Sequence, residues 1–218
     1  MTIKNKKTLN PIIIIPARID SSRLKKKLLR NISGLPMIVR VAQNAENLKM
    51  GRVIVGTDSR EIYNECEKNN LEAMMTKSSH KSGTDRVYEV YKILNKDFDL
   101  IINLQGDLPI FKKDLLEKTI QLFSDNSVDI GSAVCDLEDP EINDNNIVKA
   151  KVLLDDYDEG FALDFTRTVD CTKNIYHHIG VYIYKPSVLK EFVSLLQSKR
   201  EKERNLEQMR AMDNNYKI

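Results

Sequence analysis

The stretch from Ile12 to Leu29 reads IIIIPARIDSSRLKKKLL and decides the fold. Four consecutive isoleucines predict a strand buried on both faces, which is typical of the interior of a parallel sheet. Directly after this strand come the cations Arg18, Arg23 and Lys25–Lys27. Ligands of open α/β sheets bind at the carboxyl ends of the strands, so this loop is a candidate phosphate site. The alternative is an ordinary basic loop in contact with solvent.

The first half of the chain alternates short apolar runs with amphipathic helical patterns. This order implies a mostly parallel sheet covered by helices on both faces. Ser59 is a plausible N-cap of the second helix. Strands are predicted at 12–16, 52–58, 72–76 and 98–107, and helices at 36–49, 59–70, 83–96 and 112–125.

The pattern changes after about residue 127, where strands follow one another with little helix between them. We predict a single α/β domain over residues 1–218, with a strand-rich lobe at about 128–185 for substrate binding or dimerisation. The polar segment 138–146 is expected to be a surface turn. Strands are predicted at 129–137, 147–156, 161–167 and 176–185, and helices at roughly 186–197 and 201–212.

The composition is that of a globular protein that does not bind nucleic acid. Of 218 residues, 41% are hydrophobic and 30% charged, and 34 basic against 32 acidic residues leave a net charge of only +2. Cys66, Cys135 and Cys171 show no CxxC spacing, which favours free thiols in a reducing compartment. The polar N-terminus and the short apolar run after it predict neither a signal peptide nor membrane insertion, so we expect a cytoplasmic protein.

Two further segments carry polar groups at strand or helix ends. In QGDLP, Asp107 ends a strand and is a candidate Mg²⁺ ligand, with Gly106 allowing a ligand to approach closely; a turn aspartate is the alternative. In SSHKSGTDR, Ser82, Thr84 and Arg86 could bind a base or ribose. The same residues also suit a helix N-terminus with Ser82 or Thr84 as cap, and both interpretations can hold together. Neither GxGxxG nor GxxxxGK occurs, so any phosphate must be held by side-chain cations and backbone amides.

Three later segments contain weaker candidates. Arg167 ends FALDFTR and could hold a carboxylate, and His178 in HHIGVYIY could bond a sugar hydroxyl. Each is more often structural when taken alone. In LEQMR, Glu207 and Gln208 precede Arg210 in what reads as an ordinary charged helix.

Taken together, these segments resemble the 3-deoxy-manno-octulosonate (Kdo) cytidylyltransferase family. The opening PARIDSSRLKKKLL matches the family's PAR-x-x-S-[ST]-R-L-P-G-K-P-L at most positions, and the likeness runs from about residue 11 to the end. The most specific part is the combination of H-x-S-G-T-[DE]-R, Q-G-D and H-[LI]-G-[IV]-Y. The other matching segments are GLPMIVRV, VGTD, NIVKAKVLLD, ALDFTR and LEQMR.

The resemblance implies a nucleotide-diphospho-sugar-transferase-like fold and activation of Kdo with CTP, giving CMP-Kdo and pyrophosphate for lipopolysaccharide biosynthesis. Mg²⁺ would be the cofactor, and a homodimer the expected assembly. Carried over by position, Arg18, Lys27 and Asp107 would be catalytic, and Asp107 would bind the metal. The nucleotide would contact Pro16, Ala17, Arg18, Ser22, Arg23, Lys27, Ser82, Thr84, Arg86 and Gln105, and the sugar acid would contact Arg167, His178, Glu207 and Gln208.

The sequence departs from the family pattern at several places. Lys25-Lys26 replaces Pro-Gly, Leu108 replaces the usual Glu, and residues 168–175 replace a longer loop. The family continues beyond the match to NNYKI into a segment whose aspartate is a second metal ligand, so Mg²⁺ is expected to be held here by Asp107, phosphates and water. Two alternatives are a nucleotidyltransferase for a related sugar acid (amino-Kdo or neuraminate-like) and a truncated, non-catalytic CTP-binding relative.

Overall fold

A computed structural model describes residues 9–19 and 24–218 of the chain. The chain divides into two compact units, Met1–Phe111 and Lys112–Ile218. The single domain with a strand-rich lobe stays a prediction. Ser22 and Arg23, both predicted to bind nucleotide, lie outside the described residues.

The first unit contains the parallel sheet that the alternating pattern predicts. A short 3₁₀ helix, Lys27–Leu29, follows the first strand. The remaining elements are β1 (Pro11–Ala17), β2 (Asn31–Ile32), β3 (Leu35–Pro36), α1 (Met37–Asn47), β4 (Arg52–Thr57), α2 (Arg60–Lys68), β5 (Ala73–Met75), α3 (Gly83–Leu94) and β6 (Leu100–Leu104).

Strand β1 lies inside this sheet, with a parallel neighbour on each side. Ile13 is in register with Val53 of β4 and with Ile102 of β6, and β5 extends the sheet beyond β4. All four isoleucines of β1, Ile12–Ile15, are 0% exposed. The α/β fold class predicted from this strand is therefore confirmed.

Local signals account for the starts of α2 and α3 and for one element that was not predicted. The Ser59 hydroxyl accepts from the Ile62 amide at 3.3 Å, and Ser82 forms a capping box with Asp85. Strands β2 and β3 form a hairpin whose two turn residues, Ser33 and Gly34, have φ of 49° and 96°. Positive φ at both positions defines a type I′ turn, and Ser-Gly is a suitable pair for it.

The second unit contains the strand-rich extension. A 3₁₀ helix, Leu122–Ser124, follows its first α-helix. The remaining elements are α4 (Lys113–Gln121), β7 (Ile130–Cys135), α5 (Asp139–Ile142), β8 (Lys149–Val152), β9 (Ala162–Thr166), β10 (Ile175–Tyr184), α6 (Pro186–Ser194), α7 (Lys199–Arg204) and α8 (Gln208–Asp213).

Antiparallel pairing organises this second unit. Strand β10 pairs with β7 and with β8, and β8 pairs with β9. One hydrophobic cluster packs residues of β8 and β9 against the C-terminal helical segment, and it consists of Ala150, Val152, Phe165, Leu206 and Met209.

One prediction for this unit was wrong, and the surface turn predicted at 138–146 was incomplete. The helix expected at 201–212 is two helices, α7 and α8, because Asn205 takes the left-handed conformation at φ 53° and ends α7. Asparagine is among the residues that most readily adopt this conformation. The segment 138–146 contains the helical turn α5, which a capping box between Glu138 and Glu141 stabilises.

Among the described residues, no helix combines the length and the apolar character that a membrane span requires.

We expect Ser59→Ala to lower the free energy of unfolding by about 1 kcal/mol, because the Ile62 amide at the start of α2 loses its acceptor. Urea unfolding followed by circular dichroism measures the change. Ser124→Ala, at an exposed serine, is the control and should be nearly neutral. Equal effects of the two substitutions would contradict the capping role.

Candidate functional site

A cavity of about 470 Å³ lies at the carboxyl ends of the parallel strands in the first unit. Three segments line it: the one that follows β1, the one that leads into α3, and the turn that follows β6. The structure thus brings together most of the residues predicted to bind nucleotide. Those that line the cavity are Pro16, Ala17, Arg18, Lys27, Ser82, Arg86 and Gln105, and the predicted metal ligand Asp107 lines it as well.

An ion pair in this cavity joins Lys27, in the 3₁₀ helix that follows β1, to Asp107, in the turn that follows β6. The Lys27 ammonium donates to Asp107 Oδ2 at 2.6 Å, and the two side chains are 33% and 43% exposed. Adjacent parallel strands end at the same edge of the sheet, which is why residues 80 positions apart in sequence meet here. Arg18 is exposed at the same edge. The cavity therefore presents cations suited to phosphate beside a carboxylate suited to a metal ion.

Arg86 lines the cavity but is buried, at 3% exposure. Its guanidinium donates to Asp58 Oδ2 at 2.7 Å and to the Thr76 hydroxyl. This buried pair links α3 to the end of β4. Because both partners of a buried ion pair lose hydration, removing either one should be costly. Arg86 thus contributes positive charge to the cavity wall while its position is set by Asp58.

Thr84 is also buried, at 2% exposure, and is not among the residues that line the cavity. Its hydroxyl accepts from Asn103 Nδ2 at 3.3 Å. The contact joins the first turn of α3 to β6. Any influence of the Thr84 side chain on a nucleotide would be exerted through this packing.

Lys25 and Lys26 stand where the resembled family has Pro-Gly. Despite this replacement, Lys27 lines the cavity. Lys26 takes the left-handed conformation at φ 50°, which glycine adopts at no steric cost. Its ammonium turns to Glu61, with contacts of 2.9 and 2.6 Å to the two carboxylate oxygens. Of the neighbouring cations, Lys27 faces the cavity and Lys26 faces α2.

Close packing explains why position 106 is a glycine, which the sequence alone did not show. A Cβ there would lie 3.3 Å from the Pro16 carbonyl oxygen and 3.3 Å from Ile38 Cδ1. The glycine therefore lets the turn after β6 approach the end of β1 closely. Gly106 also lines the cavity, so its predicted role in letting a ligand approach stays a prediction beside this packing role.

His80 and Lys81 also line the cavity and were not among the predicted site residues. Both belong to the quoted SSHKSGTDR segment, so the signal was present in the sequence. The helix-capping pattern drew attention to Ser82 and Asp85 instead. The position of His80 becomes clear only from its contact with Glu89, nine residues later.

Of the described residues that line the cavity, Asp107 is the carboxylate that could donate to a metal ion. Among residues 9–19 and 24–218, no three His, Cys, Asp or Glu side chains are grouped so as to hold a metal ion. Mg²⁺ is often bound through only one or two carboxylates and takes its other ligands from phosphate and water. Asp107 fits that mode of binding.

In the second unit, His178 is buried and neutral. Burial, followed by the nearby positive charge of His177, lowers the pKa of His178 to about 3. Ser132 donates its hydroxyl proton to the Val181 carbonyl at 2.8 Å, so its oxygen accepts from His178 Nε2 at 2.9 Å. His178 lies on the wall of a largely apolar cavity of about 590 Å³.

Glu207 and Gln208 begin α8 on the same unit. Glu207 lies 3.7 Å from Arg210, whose guanidinium makes a bidentate pair with buried Glu201 at 2.8 and 2.6 Å. Glu207 also helps raise the pKa of Tyr182, after the larger effect of burial, and the Tyr182 ring lies 5.4 Å from that of His178. These contacts place His178, Tyr182 and Glu207 in one neighbourhood.

Arg167 follows β9 and donates to the carbonyls of Asn145 and Asn146 at 2.9 and 3.2 Å. Fully buried Lys149 donates to the carbonyls of Asp144 and Arg167 at 2.6 and 2.9 Å. The two cations thus fix the 144–146 loop against the end of β9. Lys149 of β8 pairs in register with Thr166 of β9 on one side and with His177 of β10 on the other. Arg167 and His178 are the residues that directly follow these two partners.

A parallel α/β sheet with cations and a carboxylate at its strand ends is typical of nucleotide-binding proteins, nucleotidyltransferases among them. A family model described as cytidylyltransferase matches residues 12–218. The chain belongs to the cytidylyltransferase family.

Curated relatives narrow the family further. A 3-deoxy-manno-octulosonate cytidylyltransferase of Bartonella bacilliformis is 40% identical over 216 residues, covering 97% of this chain and 89% of the relative. The enzyme of the same description from Brucella anthropi is 38% identical over 218 residues, covering 97% and 87%.

Solved structures agree with this placement. A CMP:2-keto-3-deoxy-manno-octonic acid synthetase complexed with CTP superposes with a TM-score of 0.83 at 31% identity, covering 96% of this chain and 88% of that chain. A cytidylyltransferase from Leptospira borgpetersenii has a TM-score of 0.61 at 15% identity, covering 95% and 74%, which supports the fold alone. The family and the fold predicted by resemblance are confirmed.

The buried His178 predicts an acid-sensitive fold. Its pKa is about 3 in the folded protein and about 6.5 when unfolded, so the unfolded chain binds a proton that the folded chain excludes. Stability is therefore lost as pH falls below about 6.5, by about 2 kcal/mol between pH 7 and pH 5 for this group alone.

We expect His178→Gln to reduce this loss, because the amide can donate to Ser132 but does not titrate. Urea unfolding at pH 7 and pH 5 measures the free energies of both proteins. An equal loss in wild type and variant would show that His178 is not responsible.

Proposed function

We propose that this protein transfers CMP from CTP to Kdo, releasing pyrophosphate, as the activating step for lipopolysaccharide biosynthesis. The observation that carries the proposal is the cavity in which Lys27, Arg18 and Asp107 meet at the carboxyl ends of β1 and β6. Membership of the cytidylyltransferase family supports it, as do the descriptions of the relatives.

The reaction is a nucleotidyl transfer. The anomeric hydroxyl of the sugar acid attacks the α-phosphorus of CTP, a new P–O bond forms, and the bond to the leaving pyrophosphate breaks in line with the attack. Such reactions depend mainly on positioning and on neutralising charge. Arg18 and Lys27 would bind the triphosphate and stabilise the negative charge that grows on pyrophosphate. Arg23 and Ser22 are proposed to bind the nucleotide as well, because they belong to the same segment of the sequence.

Asp107 would hold Mg²⁺ in this site. When bound, the ion neutralises phosphate charge and orients the triphosphate oxygens. The Lys27 ammonium already contacts Asp107 Oδ2, so this carboxylate is aimed at the cation-binding part of the cavity. Binding of nucleotide would allow Lys27 to exchange the carboxylate for phosphate oxygens.

The cytidine is proposed to bind against the segment that leads into α3. Ser82 and Arg86 line that wall, Gln105 lies at the end of β6, and Pro16 and Ala17 form the end of β1. Thr84 would contribute by keeping α3 in place through Asn103. The buried Asp58–Arg86 pair keeps the guanidinium of Arg86 in a fixed orientation.

The sugar acid is proposed to bind Arg167, His178, Glu207 and Gln208 of the second unit. His178 can act there only as a neutral hydrogen-bonding group, because its pKa is about 3. Arg167 could add a carboxylate contact to its bonds with the 145–146 carbonyls, since a guanidinium has more donors than these bonds use.

A homodimer in the cytoplasm completes the proposal. Large apolar side chains are exposed within the predicted strand-rich lobe: Leu153 by 58%, Tyr157 by 83% and Leu163 by 48%. Exposed apolar groups clustered in one segment favour association with a second copy. Free thiols, two of them exposed, suit a reducing compartment.

We expect Kdo to be the preferred acceptor. With CTP and Mg²⁺, the rate of CMP–sugar formation should be highest for Kdo, lower for an amino-Kdo and lowest for a neuraminate-like acid. Separation of the products by anion-exchange chromatography measures the three rates. A higher rate with either of the other acids would show that this acid, and not Kdo, is the preferred acceptor.

We expect Lys27→Ala to lower turnover by about 100-fold or more, because the triphosphate loses a cation in the transition state. Arg18→Ala should act in the same direction. The matched control is Lys26→Gly, which removes the neighbouring lysine, suits φ 50° and leaves the cavity intact. Steady-state kinetics and thermal melting of each variant separate catalysis from folding. Near-normal turnover in both Lys27→Ala and Arg18→Ala would contradict the assignment.

A further inference from the structure

His80 is a wall residue of the nucleotide cavity with no role assigned so far. It precedes Ser82 in the segment between β5 and α3, and it lies in the cavity together with Lys27 and Asp107. We propose that His80 accepts a hydrogen bond from a ribose hydroxyl of the bound nucleotide and that Glu89 positions it for this contact. The proposal rests on the proposed function, since it assumes that a ribonucleotide occupies this cavity.

The contact with Glu89 sets the orientation of the imidazole. His80 Nε2 is hydrogen-bonded to Glu89 Oε2, and each side chain is only 17% exposed. The same carboxylate oxygen accepts from the Lys77 amide at 2.9 Å, which fixes Glu89 to the backbone of the segment that carries His80. Glu89 itself does not line the cavity. It therefore acts on a ligand only through the ring that it holds.

The charge on Glu89 determines which ring nitrogen carries the proton. Burial alone would raise the pKa of Glu89, but the hydrogen bonds from His80 and the Lys77 amide lower it overall. The carboxylate is thus ionised and can only accept hydrogen bonds. It follows that Nε2 is the donor. In the neutral ring, Nδ1 is then an acceptor with no proton of its own.

An acceptor nitrogen selects the part of the nucleotide that it can bind. Phosphate oxygens at neutral pH are themselves acceptors, so they do not pair with Nδ1 of the neutral ring. The vicinal ribose hydroxyls are donors, and they lie between the triphosphate and the base. His80 lies in the same segment as Ser82 and close in sequence to Arg86, the proposed cytidine side of the cavity. A ribose contact would make the site prefer ribonucleotides to their deoxy counterparts.

The test compares the affinities of CTP, 2′-deoxy-CTP and 3′-deoxy-CTP by isothermal titration, with Mg²⁺ and without sugar acid. Wild type should bind CTP about tenfold more tightly than one of the two deoxy analogues, the worth of about one hydrogen bond. His80→Phe should weaken CTP by about tenfold, leave that analogue unchanged and thus remove the discrimination.

Variants of Glu89 test the positioning role. Glu89→Ala should reduce the discrimination, whereas Glu89→Gln should keep most of it, because the amide oxygen still accepts from Nε2. In the double variant His80→Phe/Glu89→Ala, CTP affinity should be no lower than in His80→Phe alone. The matched control is His177→Phe, which breaks a comparable histidine–glutamate pair, 2.8 Å from Glu141, in the other unit. It should leave all three affinities unchanged.

Two results would overturn the role of His80 while leaving the proposed function in place. One is discrimination in His80→Phe equal to that of wild type, and the other is an equal loss of affinity for all three nucleotides. A further loss when Glu89→Ala is added to His80→Phe would show that Glu89 acts independently of the ring. Failure of wild type to bind CTP at all would overturn the proposed function together with this role.

Discussion

The complete burial of the four isoleucines of β1 is the constraint on which the rest of the first unit depends. A strand that is buried on both faces and paired in parallel on both edges leaves only its ends near solvent. Its carboxyl end therefore opens at the same edge as those of β4 and β6. Arg18, Asp58 and Asp107 follow these three strands directly or within a short turn. The site exists because the sheet delivers these groups to one edge.

Some of the charged residues at this edge stabilise the fold, and others are available to bind a ligand. Arg86 and Asp58 form a buried pair that holds α3 to the sheet, so that charge is committed to the fold. Lys27 and Asp107 remain a third or more exposed, and an ion pair so exposed contributes little to stability. Their partners can therefore be exchanged for phosphate and metal at small cost. A near-neutral chain can in this way present a strongly polar site.

Sequence patterns predicted the elements well where the signal was local. The isoleucine run, the helical spacing at Ile38 and Val41 and the serine caps all depend on neighbours within a few residues. The helix break at Asn205 was missed because the charged pattern continues across it, and only the backbone conformation shows the left-handed residue.

Sequence periodicity could not predict the contacts between residues far apart in the chain. Nothing near Lys27 indicates Asp107, and nothing near Arg86 indicates Asp58; both pairs follow from strand order and register. The segment containing His80 was recognised, but its capping pattern explained Ser82 and left the imidazole without a partner. The resemblance predicted that Arg167 and His178 contact the sugar acid. The sequence did not predict the hydrogen bonds of Arg167 to the 145–146 loop or of His178 to Ser132, which only the structure shows.

The central claim is that the cavity at the ends of β1 and β6 supports CMP transfer to a sugar acid. The most direct measurement is pyrophosphate release by the purified 218-residue protein with CTP, Mg²⁺ and Kdo, each omitted in turn. The account predicts release that requires all three. No release from folded protein of the correct mass that still binds CTP would contradict it and favour a CTP-binding protein without transferase activity.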